Sequence, residues 1–232
     1  MPRLDECRPR ILETLLPAAG PNLAPGVGPT GVPDPFGAVA SAALALVAEP
    51  RIASAALEAL RGDGLLEAGA LAEVDPLELD ELFRSEKIRL SARSLRPLQR
   101  IARWAADRRF DAERADAIST ESLREEWRAL NGVGPATADQ LLLFGLGRPA
   151  YPVDRATYRI FLRHGWLDPS ADYDEARSVA ESLAPEDPVT LARISRALVR
   201  LGRESCKPTV ARCDRCPLRS MLPPDGPIEA GE

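Results

Sequence analysis

The chain has 232 residues, of which 45% are hydrophobic and 28% are charged, and its formal net charge is −5. This length allows one large core or two smaller ones, and the composition excludes a disordered or fibrous chain. No apolar run is long enough to span a membrane, and the N-terminus lacks the basic and apolar regions of a signal peptide. We therefore expect a cytoplasmic, globular, monomeric protein.

The spacing of apolar residues predicts helices along almost the whole chain. A short amphipathic helix is predicted over 8–16, and the Pro- and Gly-rich stretch 17–35 is predicted to be a linker or long loop. The next helices are predicted over 35–48, 51–62, 67–72, 76–84 and 89–108.

The second half of the chain continues the helical pattern. Ser119 or Thr120 is a candidate cap for one helix, and Asp154 stands at the cap position of another. These helices are predicted over 121–130, 135–146, 154–164, 172–184 and 188–202. The alternation typical of strands is nearly absent, so the predicted fold class is all-α.

Charge is unevenly distributed, which matters because a net charge of −5 argues against a nucleic-acid binder. Acidic residues concentrate over 49–81, whereas arginines dominate 84–109 and form a second basic group over 148–163. A phosphate backbone responds to local patches of charge rather than to the total. The arginines therefore fit either a DNA-binding surface or an ordinary solvated helix face.

A glycine turn, Gly132-Val133-Gly134, stands directly before the helix predicted over 135–146. Glycine has no Cβ atom, so the backbone of such a turn can adopt positive φ and approach another molecule closely. Backbone N–H groups at the start of a helix bind phosphate. The turn therefore predicts a phosphate-binding site that uses the backbone of these three residues.

Three cysteines near the C-terminus, Cys206, Cys213 and Cys216, form a C-x6-C-x2-C arrangement. Three thiols so close in sequence indicate a metal centre. Zinc is one alternative, although the only histidine, His164, has no evident place in a tetrahedral site. A disulfide with one free thiol is another, disfavoured in a reducing compartment. Cys7 is distant in sequence, and we expect it to be a free thiol.

Together with the segment Tyr151-Pro152-Val153-Asp154, these two motifs resemble the helix-hairpin-helix DNA glycosylase superfamily, specifically its endonuclease III branch. The resemblance covers roughly residues 36–223. It implies two all-helical domains that flank a DNA cleft, with double-stranded DNA as partner at the nucleoid. The implied organisation is a hairpin-bearing domain over 36–148, a second domain formed by 1–35 and 149–223, and a disordered tail over 224–232.

The resemblance also implies roles for individual residues. Asp154 matches the catalytic aspartate of the superfamily, and the three clustered cysteines match ligands of its [4Fe–4S] cluster. The candidate contacts to DNA are Gly132, Val133, Gly134, Ala136, Thr137, Arg89, Arg93 and Arg155. By itself, an aspartate before a helix is more often a plain N-cap, and the two roles are compatible.

Ala136 marks one departure from the superfamily pattern. Members that also cleave the strand carry a lysine at this position, and the two lysines of this chain, Lys87 and Lys207, do not match that motif. Without an amine no Schiff base with the sugar can form. The chain therefore resembles the monofunctional members.

Two further departures concern the cluster and the DNA wedge. Leu222 stands where the superfamily has its fourth cluster cysteine, so the cluster is completed by another group such as Asp225 or Cys7, is incomplete, or is absent. The superfamily's glutamine that fills the gap left by an everted base has no counterpart within 40–48.

These features predict a monofunctional DNA glycosylase of base excision repair, which hydrolyses the N-glycosidic bond of a damaged or mispaired base. The transition state of that reaction carries positive charge on the sugar, and one carboxylate can stabilise it and orient a water molecule. Two alternatives remain open. One is an inactive or weakly active DNA-binding paralogue, and the other is a helical metalloprotein with no role on DNA.

Overall fold

The computed structural model of the protein describes residues 3–19 and 34–228. Within these ranges the chain is helical, and its only β pairing is an isolated bridge between Cys206 and Ala211. The predicted all-α fold is confirmed. No helix in the described part of the chain combines the length and the hydropathy needed to cross a bilayer.

Twelve α-helices lie within the described residues. They are α1 (Leu4–Leu15), α2 (Pro35–Val47), α3 (Pro50–Gly62), α4 (Ala68–Glu73), α5 (Pro76–Ser85), α6 (Arg96–Arg108), α7 (Ala112–Ala117), α8 (Thr120–Arg128), α9 (Pro135–Gln140), α10 (Arg155–His164), α11 (Tyr173–Glu181) and α12 (Pro188–Glu204). A π-helical turn, Leu141–Gly145, continues α9.

Local capping explains why most helices begin where the sequence predicts. Asp34, Asp75 and Asp187 each accept a backbone N–H of the first turn, and each is followed by a proline at the first helical position. The first backbone N–H groups of a helix have no acceptor within the helix. An aspartate cap accepts from one of them, and a proline at the first position has no N–H to leave unpaired. Ser119 is the cap of α8, since its hydroxyl accepts from Ser122 N.

The prediction of one continuous helix over 89–108 is wrong. A 3₁₀ turn, Ala92–Leu95, capped by Ser91, precedes α6, which begins at Arg96. Pro97 is the physical reason, because proline fits the first turn of a helix but not its interior. The short helix α7 was not predicted from the spacing of apolar residues. Asp111 caps it by accepting a hydrogen bond from Arg114 N at 2.9 Å.

One compact unit, here the hairpin unit, contains the described residues 34–148. Its core includes three aromatic rings, Trp104, Phe110 and Trp127, in edge-to-face contact with centroids 5.0 to 6.5 Å apart. The π-helical turn packs closely on α2, since a Cβ atom on Gly145 would lie 3.1 Å from Val39 Cα. This packing supports the helix that follows the glycine turn.

The other compact unit, here the cysteine unit, contains residues 3–19 and 149–228. Helix α12 packs against α1 and α10. The contact between α10 and α12 is very close, because a Cβ atom on Gly202 would lie 2.4 Å from Ala156 Cβ. The aromatic ring of Trp166 stacks on His164 at 4.4 Å and contacts Phe161 edge to face.

Two predicted segments fall partly outside the described residues. Of the linker predicted over 17–35, residues 20–33 lie outside, while Pro17–Ala19 form a 3₁₀ turn. Of the tail predicted to be disordered over 224–232, residues 229–232 lie outside. The remainder is held in place, since Ile228 N donates to Arg163 O at 2.9 Å.

Candidate active site

The two glycines of the turn have different backbone conformations. Gly132 has φ +82°, and a Cβ atom there would lie 2.8 Å from Arg100 Nη1, whose guanidinium donates to Asn131 O. Gly134 has φ −77°, and a Cβ atom there would meet nothing within 4 Å. Of these two glycines, only Gly132 therefore needs to be glycine for the hairpin unit's own structure.

The backbone donors of the turn are not all open to a ligand. Val133 N donates to Leu130 O at 3.0 Å and the Val133 side chain is buried, so this residue holds the turn together. The N–H groups of Gly132, Gly134, Ala136 and Thr137 have no acceptor among the described residues. These four amides, rather than that of Val133, can bind an external anion.

A buried ion pair that the periodicity did not indicate joins the two helices on either side of the turn. Arg124 Nε of α8 lies 2.6 Å from Asp139 Oδ1 of α9, and their side chains are 3% and 0% exposed. Arg124 also pairs with Glu121. Breaking such a pair leaves a charge in the interior, which costs about 3–5 kcal/mol. The pair therefore fixes the angle between the helices and the orientation of the open amides.

Asp154 follows three buried residues, Tyr151 to Val153, whose backbone is held by side chains of α11. Tyr151 N donates to Glu181 Oε1 at 3.1 Å, and Val153 N donates to Tyr173 Oη at 3.3 Å. Neither contact was predicted, since each joins residues at least 20 positions apart. They fix the backbone on which the Asp154 carboxylate stands.

The Asp154 carboxylate is half-buried and caps α10. Its Oδ1 atom accepts from Thr157 N at 2.7 Å, as predicted for a cap, and Oδ2 accepts no hydrogen bond within the described ranges. Behind it, the Tyr151 hydroxyl shares a hydrogen bond with Thr157 Oγ1 at 3.2 Å. Burial raises the pKa of Tyr151, so this phenol stays neutral.

The predicted DNA-binding arginines differ in their surroundings from other arginines of the second basic group. Arg89, Arg93 and Arg155 are exposed and form no ion pair within the described part of the chain. Other members of the second basic group face the protein instead. Arg148 donates to Ala115 O, and Arg163 is buried against the cysteine loop (residues 206–222), so both guanidinium groups bind acceptors of the protein itself.

The start of the cysteine loop is held by two arginines of α10. Arg159 donates through Nε and Nη2 to Cys206 O at 2.9 and 2.7 Å. Arg163 donates to Cys206 Sγ at 3.4 Å, to Lys207 O at 2.8 Å and to Pro208 O at 3.2 Å. Three consecutive carbonyl groups thus find donors on protein side chains.

The cysteines do not make up the four-thiolate donor set of a [4Fe–4S] cluster. All four are free thiols, and Cys7 and Cys206 are buried. Position 222 is leucine, which has no donor atom, and burial raises the pKa of the Cys7 thiol and so disfavours its thiolate. Over 3–19 and 34–228, no group of three or more His, Cys, Asp or Glu side chains is arranged to hold a metal ion. The cysteines therefore lack the fourth thiolate of the expected [4Fe–4S] cluster, and a cluster completed by another group stays a prediction.

Comparison with known proteins identifies the family. No protein-family model matches the chain. A protein of Methanocaldococcus jannaschii assigned as a DNA repair glycosylase is 30% identical over 169 residues, which are 72% of this chain and 75% of the relative. The chain belongs to the helix-hairpin-helix DNA glycosylase superfamily.

Two other superfamily members agree with this identification. Endonuclease III of Thermotoga maritima is 35% identical over 96 residues, which are 41% of this chain and 44% of the relative. Endonuclease III in a non-covalent complex with DNA has the same fold, with a TM-score of 0.64, 20% identity, and coverage of 94% of this chain and 93% of that structure. The resemblance seen in the three sequence motifs is thereby confirmed for the superfamily.

Proposed function

We propose that this superfamily member is a monofunctional DNA glycosylase of base excision repair. It hydrolyses the N-glycosidic bond of a damaged or mispaired base in double-stranded DNA and leaves the strand intact. The observation that carries the proposal is the Asp154 carboxylate, which uses one oxygen as a helix cap and keeps the other open. We also propose that it is a monomer and acts at the nucleoid.

The chemistry assigned to Asp154 is electrostatic and positional. As the base departs, positive charge develops on the deoxyribose, and a carboxylate fixed beside the sugar stabilises it. The open oxygen of Asp154 also accepts a hydrogen bond from the attacking water and orients it towards the sugar carbon.

The absence of an amine supports hydrolysis without strand cleavage. Ala136 is exposed at the start of α9, where strand-cleaving members carry lysine. A methyl group cannot attack the sugar, so no covalent imine links protein and DNA. Lys87 lies in the segment between α5 and the 3₁₀ turn, and Lys207 lies in the cysteine loop, so neither replaces it.

The open amides of the glycine turn support binding to the sugar–phosphate backbone. Amides at a helix start bind phosphate without reading base sequence, as a repair enzyme that scans DNA requires. Within the hairpin unit, a Cβ atom at position 134 would meet nothing within 4 Å, so packing does not require a glycine there. Its open surroundings leave room for a phosphate group to approach the backbone.

No step of the proposed reaction passes through an iron–sulfur cluster, because the donor set lacks a fourth thiolate. Iron and acid-labile sulfide, measured on freshly purified anaerobic protein, test this part of the proposal. We expect less than stoichiometric iron. Four irons per chain, together with the visible absorption of a cluster, would contradict it.

The activity is tested on duplexes that carry 3-methyladenine, thymine glycol, uracil or mispaired adenine. We expect an abasic product on at least one substrate, visible as strand cleavage only after hot alkali, and no adduct on borohydride treatment. Asp154→Asn should lower the single-turnover rate by about 10²- to 10³-fold. Asparagine is an equally good helix cap, so folding and DNA affinity should be retained.

Each outcome distinguishes the candidate functions. Strand cleavage without alkali, or a trapped covalent adduct, would refute the monofunctional assignment. Unchanged turnover in Asp154→Asn would refute the role of that carboxylate. DNA binding without abasic product on any substrate would instead identify a non-catalytic DNA-binding paralogue.

A further inference from the structure

The first turn of α6 lies directly against the glycine turn. A Cβ atom on Gly132 would lie 2.8 Å from Arg100 Nη1 and 3.9 Å from Pro97 Cγ. The Arg100 guanidinium also donates to Asn131 O. The start of α6 and the turn that carries the open amides therefore form one continuous surface of the hairpin unit.

Three arginines of α6 share this side of the helix, because residues three and four positions apart are neighbours on a helix surface. Arg103 pairs with Glu73 at 2.8 Å, and Arg100 is bound to the turn. Arg96, one helical turn before Arg100, is exposed and has neither an ion pair nor a hydrogen bond from its guanidinium within the described residues. Among these three arginines of α6, Arg96 is thus the one whose charge no contact within the described residues uses.

Helix stability does not explain an arginine at position 96. It is the first residue of α6, where the helix dipole disfavours positive charge, and no acidic residue lies in the first turn to compensate. Arg93, in the preceding 3₁₀ turn, is also exposed and forms no ion pair among the residues described. Arg96 therefore carries its charge in a locally unfavourable position, next to Pro97, which contacts the turn with the open amides. An external anion bound there would compensate this charge.

We propose that Arg96, with Arg93 beside it, binds a phosphate of duplex DNA adjacent to the phosphate at the glycine turn. The inference rests on the proposed function and extends its DNA contacts from the turn to the start of α6. The contact is to the sugar–phosphate backbone and carries no base specificity. Its effect is to position the strand, so Arg96 takes no part in the chemical step.

The contact is tested by the salt dependence of binding to a duplex with a tetrahydrofuran abasic analogue, followed by fluorescence anisotropy. Each phosphate contact contributes a slope of about −0.9 to log K against log salt. Arg96→Gln should therefore reduce the slope by about 0.9 and weaken binding about eightfold at ~0.1 M salt. Arg96→Lys should retain the slope.

The matched control is Arg61→Gln, which removes the same charge from α3, where Arg61 pairs with Glu58. Its slope should equal that of the wild type, and all variants should unfold at the same temperature as the wild type. If Arg96→Gln leaves the slope unchanged while the wild type binds DNA, the Arg96 contact is wrong and the proposed function stands. If the wild type binds no DNA, both the Arg96 contact and the proposed function are wrong.

Discussion

Alanine substitution should have opposite effects at the two glycines of the turn. Gly132→Ala should destabilise the protein, because alanine would have to adopt φ +82° with its Cβ 2.8 Å from Arg100 Nη1. A left-handed conformation costs a non-glycine residue about 1–2 kcal/mol. The guanidinium would also move away from Asn131 O, which loses a bond worth about 0.5–1.5 kcal/mol net. The sum is about 1.5–3.5 kcal/mol.

Gly134→Ala should leave stability almost unchanged. Its φ of −77° suits alanine, and the added methyl group meets nothing within 4 Å. Alanine is a poorer helix cap than glycine, by about 0.5–1 kcal/mol, whereas the reduced entropy of the unfolded chain favours it by about 0.4–1 kcal/mol. The two effects nearly cancel. DNA affinity should nevertheless fall, because the methyl group occupies the space through which a phosphate approaches.

Urea unfolding followed by far-UV circular dichroism gives the free energies of unfolding, and anisotropy with the abasic-analogue duplex gives the affinities. The expected pattern is a stability loss for Gly132→Ala and an affinity loss without a stability loss for Gly134→Ala. If Gly132→Ala is as stable as the wild type, the strain at that position is absent. If Gly134→Ala binds DNA like the wild type, no phosphate approaches the turn there.

Three other predictions follow from buried groups. Asp139→Asn should destabilise the protein by about 3 kcal/mol in urea unfolding, since the buried guanidinium of Arg124 would lose the charge of its buried carboxylate partner. An unchanged midpoint would show that the pair is not needed. Burial lowers the pKa of His164, so the unfolded state binds more protons below pH ~6.5, and stability should rise from pH 5 to 7.5. His164→Phe should flatten that rise. An equally steep rise of stability with pH in the variant would contradict the role of His164. Arg163→Met should make the cysteine loop sensitive to limited proteolysis, whereas a metal chelator should not; protection lost on chelation would indicate a metal-dependent loop.

The sequence predicted those residues of the candidate site whose role depends on neighbours close in the chain. Asp154 was predicted as a cap because the contact from its Oδ1 spans only three residues. The Gly132–Gly134 turn was predicted because a helix start after paired glycines is itself a local pattern. Pro97 also marked the start of α6 in the sequence, but the spacing of apolar residues favoured one continuous helix over 89–108.

Other parts of the site depend on contacts between distant positions. Arg163 could be read from the charge pattern as a DNA contact, yet it bonds to Cys206, 43 residues away. Arg124 and Asp139 look like ordinary helix-surface residues until α8 and α9 pack together.

The amino-acid order alone determined most of the helices and the cap position of Asp154, since these result from interactions within about one helical turn. Tertiary structure alone decided which arginines remain free for an anion and which are used inside the protein. The reason is physical: a guanidinium pairs with whatever acceptor packing brings within about 3 Å, and that acceptor can lie anywhere along the chain.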